Sequence, residues 1–375
     1  MKSKIMYLTH TAKVGGAEKS LYNLIKNIDD KQYYPILVCG EDGELADMVR
    51  DLGVEVHIIP MKQINTKYKI GGIFRLISTS IDLRKFIKDN HIDIVHNNTY
   101  RARFFGTISG TIANVKVITH IRDIMHWTYV EKKLVKFEDK IIAISDAVKE
   151  HIFKQISTKY RSKIYRIYNG VDINEFDPTG LQKYILRNEY SIDKDKIIIG
   201  AVGRFDEWKR FDLLIEAANL LNCKYDNLYF VIVGDAFNEE QEKVKAQIKK
   251  LVNKYKLENQ VIFTGYRKDV CAVMNDFDIF ILTSDNEPFG RVLIEALSLN
   301  LPIVSTNNGG APEIIKNELN GVLVQYNDIE SLTQGITYIL EDVNTREYMK
   351  ENNRLYAKQH FSIQTHVSMV QNLYK

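Results

Sequence analysis

Residues 284–297 read Ser284-Asp285-Asn286-Glu287-Pro288-Phe289-Gly290-Arg291-Val292-Leu293-Ile294-Glu295-Ala296-Leu297. Before them runs Asp278-Ile279-Phe280-Ile281-Leu282-Thr283, and after them Pro302-Ile303-Val304-Ser305. Both are short apolar runs of the kind buried in parallel sheets. Between them Val292, Leu293, Ala296 and Leu297 recur at helical spacing, so the segment predicts strand, loop, helix, strand. Pro288 and Gly290 stand where that helix would open. A helix start offers unbonded N–H groups and a partial positive charge, a ready seat for a phosphate. Glu287 lies in the loop just before it, and Glu295 eight positions further on. Eight residues is a little over two turns, which puts both carboxylates toward one side, about 12 Å apart along the axis. One would accept hydroxyls beyond the helix tip and the other hydroxyls down its flank. Sugar, diphosphate and ribose in a nucleotide-sugar present that layout. A capped core helix with one exposed Glu is the plainer alternative.

The same alternation fills the chain. Lys4–Leu8 predicts a first strand, then a turn with Gly15-Gly16 and a helix carrying Leu21, Leu24, Ile25 and Ile28. Ile36–Val38, Val54–Ile59, Ile92–His96, Lys116–His120 and Lys140–Ser145 predict further strands, with helices around Leu45–Leu52 and Ile73–Ile87. The pattern pauses at Tyr168–Pro178 and restarts with Ile197–Val202, Tyr229–Val233, Val261–Thr264 and Asp278–Thr283. Thr345–Lys375 reads as helices. The expectation is an α/β chain of two doubly wound, Rossmann-like sheets in succession, joined by a polar stretch near residues 172–195. Ligands then belong in a cleft between the carboxyl ends of the two sheets.

With 375 residues the chain is long enough for two ordinary domains. Its net charge is +3, but residues 1–180 hold 28 basic and 21 acidic side chains and the remainder 23 and 27. A basic first half suits an anionic partner such as a lipid-linked phosphate or a membrane face; an unevenly charged solvated surface explains it equally well. Cys39, Cys223 and Cys271 lack metal spacing and fit reducing cytoplasm. Ile5–Leu8 is too short for a signal peptide, and no run is long enough to span a bilayer.

Three more segments sit where strands end. Gly203-Arg204-Phe205-Asp206-Glu207-Trp208-Lys209-Arg210 places two cations five apart, a bidentate fork and a point charge suited to a diphosphate. Gly15-Gly16 is a turn where backbone could approach a ligand closely, without the spacing of a dinucleotide site. His120 ends its strand and is followed by Arg122 and Asp123. Asp276-Phe277-Asp278 is a D-x-D, a pattern that binds a divalent ion in one-domain glycosyltransferases. Here it precedes a buried strand and so falls at the amino end of the sheet, read as a helix end and strand start. The remaining His residues have no ligand spacing, so no metal site is expected. Tyr100–Phe105 and Lys132–Phe137 mix basic and aromatic residues, as membrane-surface segments do and as solvated helix faces also do.

Glu287 to Glu295, embedded in E-P-F-G-R-V-L-I-E-A, resembles the E-x7-E signature of the retaining glycosyltransferases of family 4 (glycosyl transferases group 1), which have the GT-B fold. Gly203-Arg204 and Lys209 resemble that family's G-R-x4-K element, with Arg210 departing from the usual Gly. Gly15-Gly16 resembles its G-G loop, Thr119-His120 its T-x-H element, Asn169–Asp172 its N-G-V-D element and Gly309–Glu313 its G-G-x-x-E region.

The resemblance implies a GT-B enzyme with an acceptor-side domain over residues 1–180, a nucleotide-sugar domain over 181–355, and a final helix, 356–375, returning to the first domain. It implies catalytic roles for Glu287, His120, Arg204 and Lys209. Donor contacts are implied at Gly15, Gly16, Tyr266, Arg267, Phe289, Gly290, Arg291 and Glu295, with Asn98 and Arg122 on the acceptor side. The implied reaction is transfer from a nucleotide-diphospho-sugar, a UDP-sugar first, to a glycan or lipid-linked acceptor in surface polysaccharide synthesis. It proceeds with retention, without metal or cofactor, in the cytoplasm, with peripheral contact at the inner membrane face through the basic half and no nucleic acid. A nucleotide-sugar epimerase on the same fold and a non-catalytic nucleotide-sugar-binding partner are the alternatives.

Overall fold

The computed structural model describes residues 2–61 and 69–375, with backbone alone for 69–77. The chain divides into two compact units, residues 1–170 with 363–375, and residues 171–362.

The first unit is a parallel sheet of β1 (Ser3–Thr9), β2 (Tyr33–Cys39), β3 (Glu55–Ile58), β4 (Ile94–Asn97), β5 (Lys116–Ile121), β6 (Lys140–Ala143) and β7 (Ile164–Arg166). Their order is β3-β2-β1-β4-β5-β6-β7. Ile5, Met6, Tyr7 and Leu8 on β1 are fully buried, as a strand covered on both faces demands. The strand order turns back between β1 and β4, so the loops after these strands open at one place on the carboxyl edge.

The second unit repeats the plan with β8 (Ile197–Val202), β9 (Leu228–Val233), β10 (Val261–Gly265), β11 (Ile279–Leu282), β12 (Ile303–Thr306) and β13 (Val322–Val324). The order is β10-β9-β8-β11-β12-β13, with the turning point between β8 and β11. Strands β7 and β13 are three residues each, too short to register in the sequence pattern, and they lie at sheet edges.

The division falls ten residues before the sequence-based boundary at 180, for a visible reason. Arg354, on the helix Val343–Phe361, donates to the carbonyls of Ile173 (2.8 Å), Phe176 (2.5 Å) and Ser298 (2.8 Å) and pairs with Asp177 (2.9 Å), binding residues 173–177 to the second unit. Residues 356–361 belong to that helix too. The chain breaks at Ser362, which has extended backbone, and only the helix Ile363–Tyr374 packs in the first unit. There Ile363, Val367, Val370 and Leu373 join the core under β1 and β2.

Polar groups finish that packing. The Tyr374 hydroxyl lies 2.7 Å from His96 Nδ1 and 3.1 Å from the Tyr7 hydroxyl, and His366 Nδ1 donates to the Tyr168 carbonyl (2.6 Å). Burial first, then the positive field of Arg122 and His366, lowers the His96 pKa to about 3. A second buried device is the pair Arg103–Glu138 (2.7 Å), both side chains fully enclosed. Glu138 also accepts from Thr119 (2.7 Å), and Arg103 lies 4.1 Å from the Trp127 ring centre.

At the amino edge of the second sheet Asp276 accepts from the Tyr184 (2.6 Å) and Leu186 (2.7 Å) amides, where the helix Ile185–Glu189 starts. Asp278 accepts from Ile198 N (2.8 Å) and pairs with Arg187 (2.9 Å). The D-x-D carboxylates thus fasten a helix to the sheet, since an unpaired buried carboxylate would be costly.

Two outcomes follow for stability. Trp127 and Trp208 fall in different units, so fluorescence in a Trp208→Phe background follows the first unit alone. Arg103→Ala leaves Glu138 buried without its cation and should lower that unit's stability by about 3–5 kcal/mol in urea titration; an unchanged midpoint refutes the role given to the pair. Because His96 is held neutral when folded, its contribution is complete above the unfolded value of 6.5 and is lost as pH falls toward about 3. The urea midpoint of this unit should drop across that window, and His96→Gln should reduce the slope.

Candidate active site

In the second unit the site is built on the loops after β8 and β11, the two strands flanking the turning point. Phe205 is fully buried against Phe211 and Phe263, which fixes the β8 loop and leaves Arg204 outside it, 59% exposed and 3.0 Å from Asp206. The following turn, Glu207–Lys209, sets Lys209 Nζ 4.2 Å from the Trp208 ring centre and 2.7 Å from Glu287. Two bonds lock the loops together: Thr283 Oγ1 donates to the Lys209 carbonyl (2.8 Å) and Asp285 N to the Trp208 carbonyl (2.7 Å). Lys209 and Glu287 are therefore neighbours through backbone geometry, with side chains only 12% and 10% exposed.

Glu287 is not on the helix. The helix spans Arg291–Ser298, and Gly290 at its N-cap has φ +94°, a conformation natural to glycine. The two-turn arithmetic linking Glu287 to Glu295 therefore does not hold. The Glu287 loop is placed instead by Gly310 N, which donates to its carbonyl (2.7 Å), and by Gly309. At Gly309, with φ +57°, a Cβ would come within 2.4 Å of the Glu287 carbonyl oxygen. Gly309 and Gly310 thus do more than turn the chain: they let it close on the loop carrying Glu287. Glu295, on the helix flank, is paired to Arg291 at 2.8 Å, both nearly buried. Phe289 is buried against Phe361, so it anchors the loop rather than presenting its ring. No side chain caps the helix start.

Tyr266 and Arg267 follow β10. Tyr266 is half exposed, edge-on to Phe237 with centres 5.9 Å apart. Arg267 is held by Asp269 (2.8 Å) and Glu189 (2.7 Å), which raise its pKa further and occupy its fork. That ties the Arg267 guanidinium to two carboxylates of the protein, while the Tyr266 ring stays half exposed.

In the first unit Gly15 caps the helix Gly16–Lys26, its amide reaching Glu18 (3.2 Å), and neither glycine needs a positive φ. On β5, one residue before its end, His120 is 1% exposed. Arg122 donates to His120 Nδ1 (3.3 Å), to Asn98 Oδ1 (2.8 Å), to Ser20 (3.0 Å) and to Asn169 (2.8 Å). Asn98 and Arg122 form one buried network that orients His120, and both also line a small pocket together with Ala17, Thr99, Asp123 and Met125. With Nδ1 accepting, His120 carries its proton on Nε2. Burial, then Arg122, His96 and His366, hold its pKa well below the ordinary value, so the ring is neutral. The His366 ring stacks beside it with centres 6.0 Å apart and the His96 ring lies tilted to it at 5.6 Å, partners too distant in sequence for any motif to connect. Thr283 and Trp208, which set the Lys209–Glu287 contact, likewise escaped the sequence reading; only their position at strand ends marked them.

Two family models match consecutive parts of the chain: Glycosyltransferase Family 4 over residues 14–175 and Glycosyl transferases group 1 over residues 182–356. The UDP-Gal:alpha-D-GlcNAc-diphosphoundecaprenol alpha-1,3-galactosyltransferase of Escherichia coli is 25% identical over 387 residues, covering 100% of this chain and 97% of the relative. The capsular polysaccharide biosynthesis glycosyltransferase CapM of Staphylococcus aureus is 25% identical, covering 85% of this chain and 84% of the relative. Among solved structures, Anabaena HepE in complex with UDP and glucose superposes with a TM-score of 0.84 at 23% identity over 99% of both chains. A glycosyltransferase from Rickettsia africae reaches 0.87 at 24% identity, over 100% of this chain and 98% of the other. Matched along nearly all its length by the two models, and carrying its charged loops at the turning points of two parallel sheets, the chain belongs to the family 4 glycosyltransferases of GT-B fold.

Proposed function

We propose that this enzyme moves a hexose from a UDP-sugar to a glycan or lipid-linked acceptor in surface polysaccharide synthesis, with retention of configuration and without a metal ion. The observation that carries the reading is the Lys209–Glu287 contact at 2.7 Å on two interlocked loops. A cation for a leaving diphosphate stands beside a carboxylate that can accept sugar hydroxyls, and in a nucleotide-sugar those groups are covalent neighbours. The UDP complex of HepE and the acceptor named for the Escherichia coli relative support the choice of donor and acceptor. A lipid-linked acceptor also implies work at the inner membrane face.

Donor diphosphate sits on Arg204, Lys209 and the amides at the start of the Arg291 helix, near Phe289 and Gly290. As the anomeric bond lengthens, these groups stabilise the charge that develops on the phosphate oxygen. Glu287 holds hydroxyls of the transferred sugar; in the first unit the Nε2–H of neutral His120 is a donor suited to a sugar hydroxyl, and the Gly15-Gly16 turn leaves its backbone open to close approach by a ligand. Glu295, oriented by Arg291, accepts from the ribose, and Tyr266 meets the base. No carboxylate in this set is assigned as a nucleophile, so the acceptor hydroxyl attacks the face the diphosphate leaves and gives its proton to that phosphate. Metal independence is supported by the engagement of Asp276 and Asp278 with backbone amides and Arg187 at the amino edge of the sheet.

Lys209→Ala and Glu287→Ala should each lower the kcat of sugar transfer by about 100- to 1000-fold, the cost typical of losing one preorganised group at a developing charge. A panel of UDP-sugars with a diphospholipid-linked N-acetylhexosamine, followed by UDP release, measures it; full activity in either variant rejects the assignment. An α-linked product from the α-configured donor, by NMR, is expected, and a β-linked product rejects retention. Activity should survive EDTA, whereas loss restored by a divalent ion rejects metal independence. An epimerised free donor as the main product would favour the epimerase.

A further inference from the structure

We infer that Gln241 is a positioning residue that ties the diphosphate contact of Arg204 to a seat for the donor's nucleobase beside Phe237 and Tyr266. The inference rests on the donor reading above and deepens it by naming how the second unit couples the two ends of the nucleotide. These residues follow β8, β9 and β10, three neighbouring strands of one sheet.

A chain of side-chain contacts connects them. Arg204 Nη2 lies 3.0 Å from Asp206 Oδ2, and Asp206 Oδ1 accepts from Gln241 Nε2 at 2.6 Å. The oxygen of the same amide accepts from Phe237 N at 2.7 Å. Gln241 is 4% exposed and lies in the first turn of the helix Glu239–Tyr255, where the Asn238 cap accepts from Gln241 N (2.9 Å). A primary amide donates to a carboxylate at one end and accepts a backbone N–H at the other, whereas a Glu here would set two carboxylates against each other. The Asp206 carbonyl in turn accepts from Lys209 N (2.9 Å), so the placement of Asp206 bears on both cations assigned to the diphosphate. Arg204 depends on that anchor. Its guanidinium is 59% exposed, and an exposed ion pair holds its members weakly unless one of them is fixed from the buried side, as Gln241 fixes Asp206.

Aromatic surface stands at the far end of the chain. Phe237 is 60% exposed and Tyr266 49%, on loops that are braced together. Gly234 N donates to the Gly265 carbonyl (3.0 Å), and Asp235, paired with Lys245, takes a hydrogen bond from the Tyr266 backbone. Two large rings held open to water on fixed loops offer stacking faces, and the base is the part of the donor that stacks. Phosphate contact and ring faces thus share one carboxyl edge, set relative to each other through a single buried amide.

Binding of UDP and of inorganic pyrophosphate to the full chain, by titration calorimetry, tests both halves. Phe237→Ala should weaken UDP about tenfold, the cost of one lost base–aromatic stack, and leave pyrophosphate unchanged. Arg204→Ala should weaken both probes. Gln241→Leu should weaken pyrophosphate about tenfold when Arg204 is present and under about twofold once Arg204 is alanine, because it acts through that side chain. Gln241→Glu, which keeps the side-chain volume, should reproduce the loss, and urea midpoints matching the wild type certify the folds. Equal costs of Gln241→Leu with and without Arg204 would overturn the proposal, since a merely structural role is additive. So would UDP binding unchanged by Phe237→Ala, a Phe237→Ala loss shared by pyrophosphate, or no pyrophosphate binding by the wild type. ADP or GDP bound in place of UDP with the same pattern removes the UDP donor proposed above and leaves the seat standing. Absence of sugar transfer by an enzyme that binds UDP in this way removes the transferase reading alone.

Discussion

Right-handed crossovers between parallel strands force each sheet to be wound outward from a central pair, and at that pair the flanking loops have room to diverge. This constraint acts twice in the chain. Between β8 and β11 it gathers Arg204, Lys209, Glu287 and the start of the Arg291 helix. Between β1 and β4 it gathers Gly15, Gly16 and Asn98, with His120 and Arg122 one strand further along. Charged and polar groups placed elsewhere on the same sheets do structural work. The clearest case is Asp276 and Asp278 at the opposite edge, where the strand ends need partners for their amides.

Charge is handled differently in the two units. In the second, cations and carboxylates are paired before any ligand arrives: Lys209 with Glu287 and Arg291 with Glu295. Such pairing gives each nearly buried charge an opposite partner and fixes the orientation of Lys209, whose ammonium carries three donors. In the first unit the groups around His120 are neutral or buried. Its imidazole works as a hydrogen-bonding group of fixed tautomer because Arg122 occupies Nδ1. The fully enclosed Arg103–Glu138 pair is structural: through the Arg103 bond to the Glu131 carbonyl it holds the segment after β5 in place.

Much of the fold was legible because it rests on local repetition. The runs that became β1, β8 and β11 are apolar throughout, as strands covered on both faces must be, and the helices between them keep their own period. The edge strands β7 and β13 escaped because three residues carry no period. The unit boundary escaped because it depends on Arg354 reaching back to residues 173–177, a contact between positions nearly 180 apart in sequence. Arg204, Lys209 and Glu287 were singled out from residue type and place at strand ends, and the structure pairs Lys209 with Glu287. The burial of Asn98, Arg122 and Phe289 and the commitment of Arg267 to Asp269 and Glu189 were not.

Sequence by itself determined the alternation of strand and helix, the two-sheet class and the kinds of side chain delivered to each strand end, because period and residue type are local properties. Tertiary structure alone decided which of those side chains stay exposed and which are taken up by partners within the protein. Thr283 locks Lys209 against Glu287, Gly309 lets a second loop close on the Glu287 backbone, and His96 and His366 pack around His120. Each of these depends on the approach of segments far apart along the chain, and burial and hydrogen-bond partners exist only once that approach has been made.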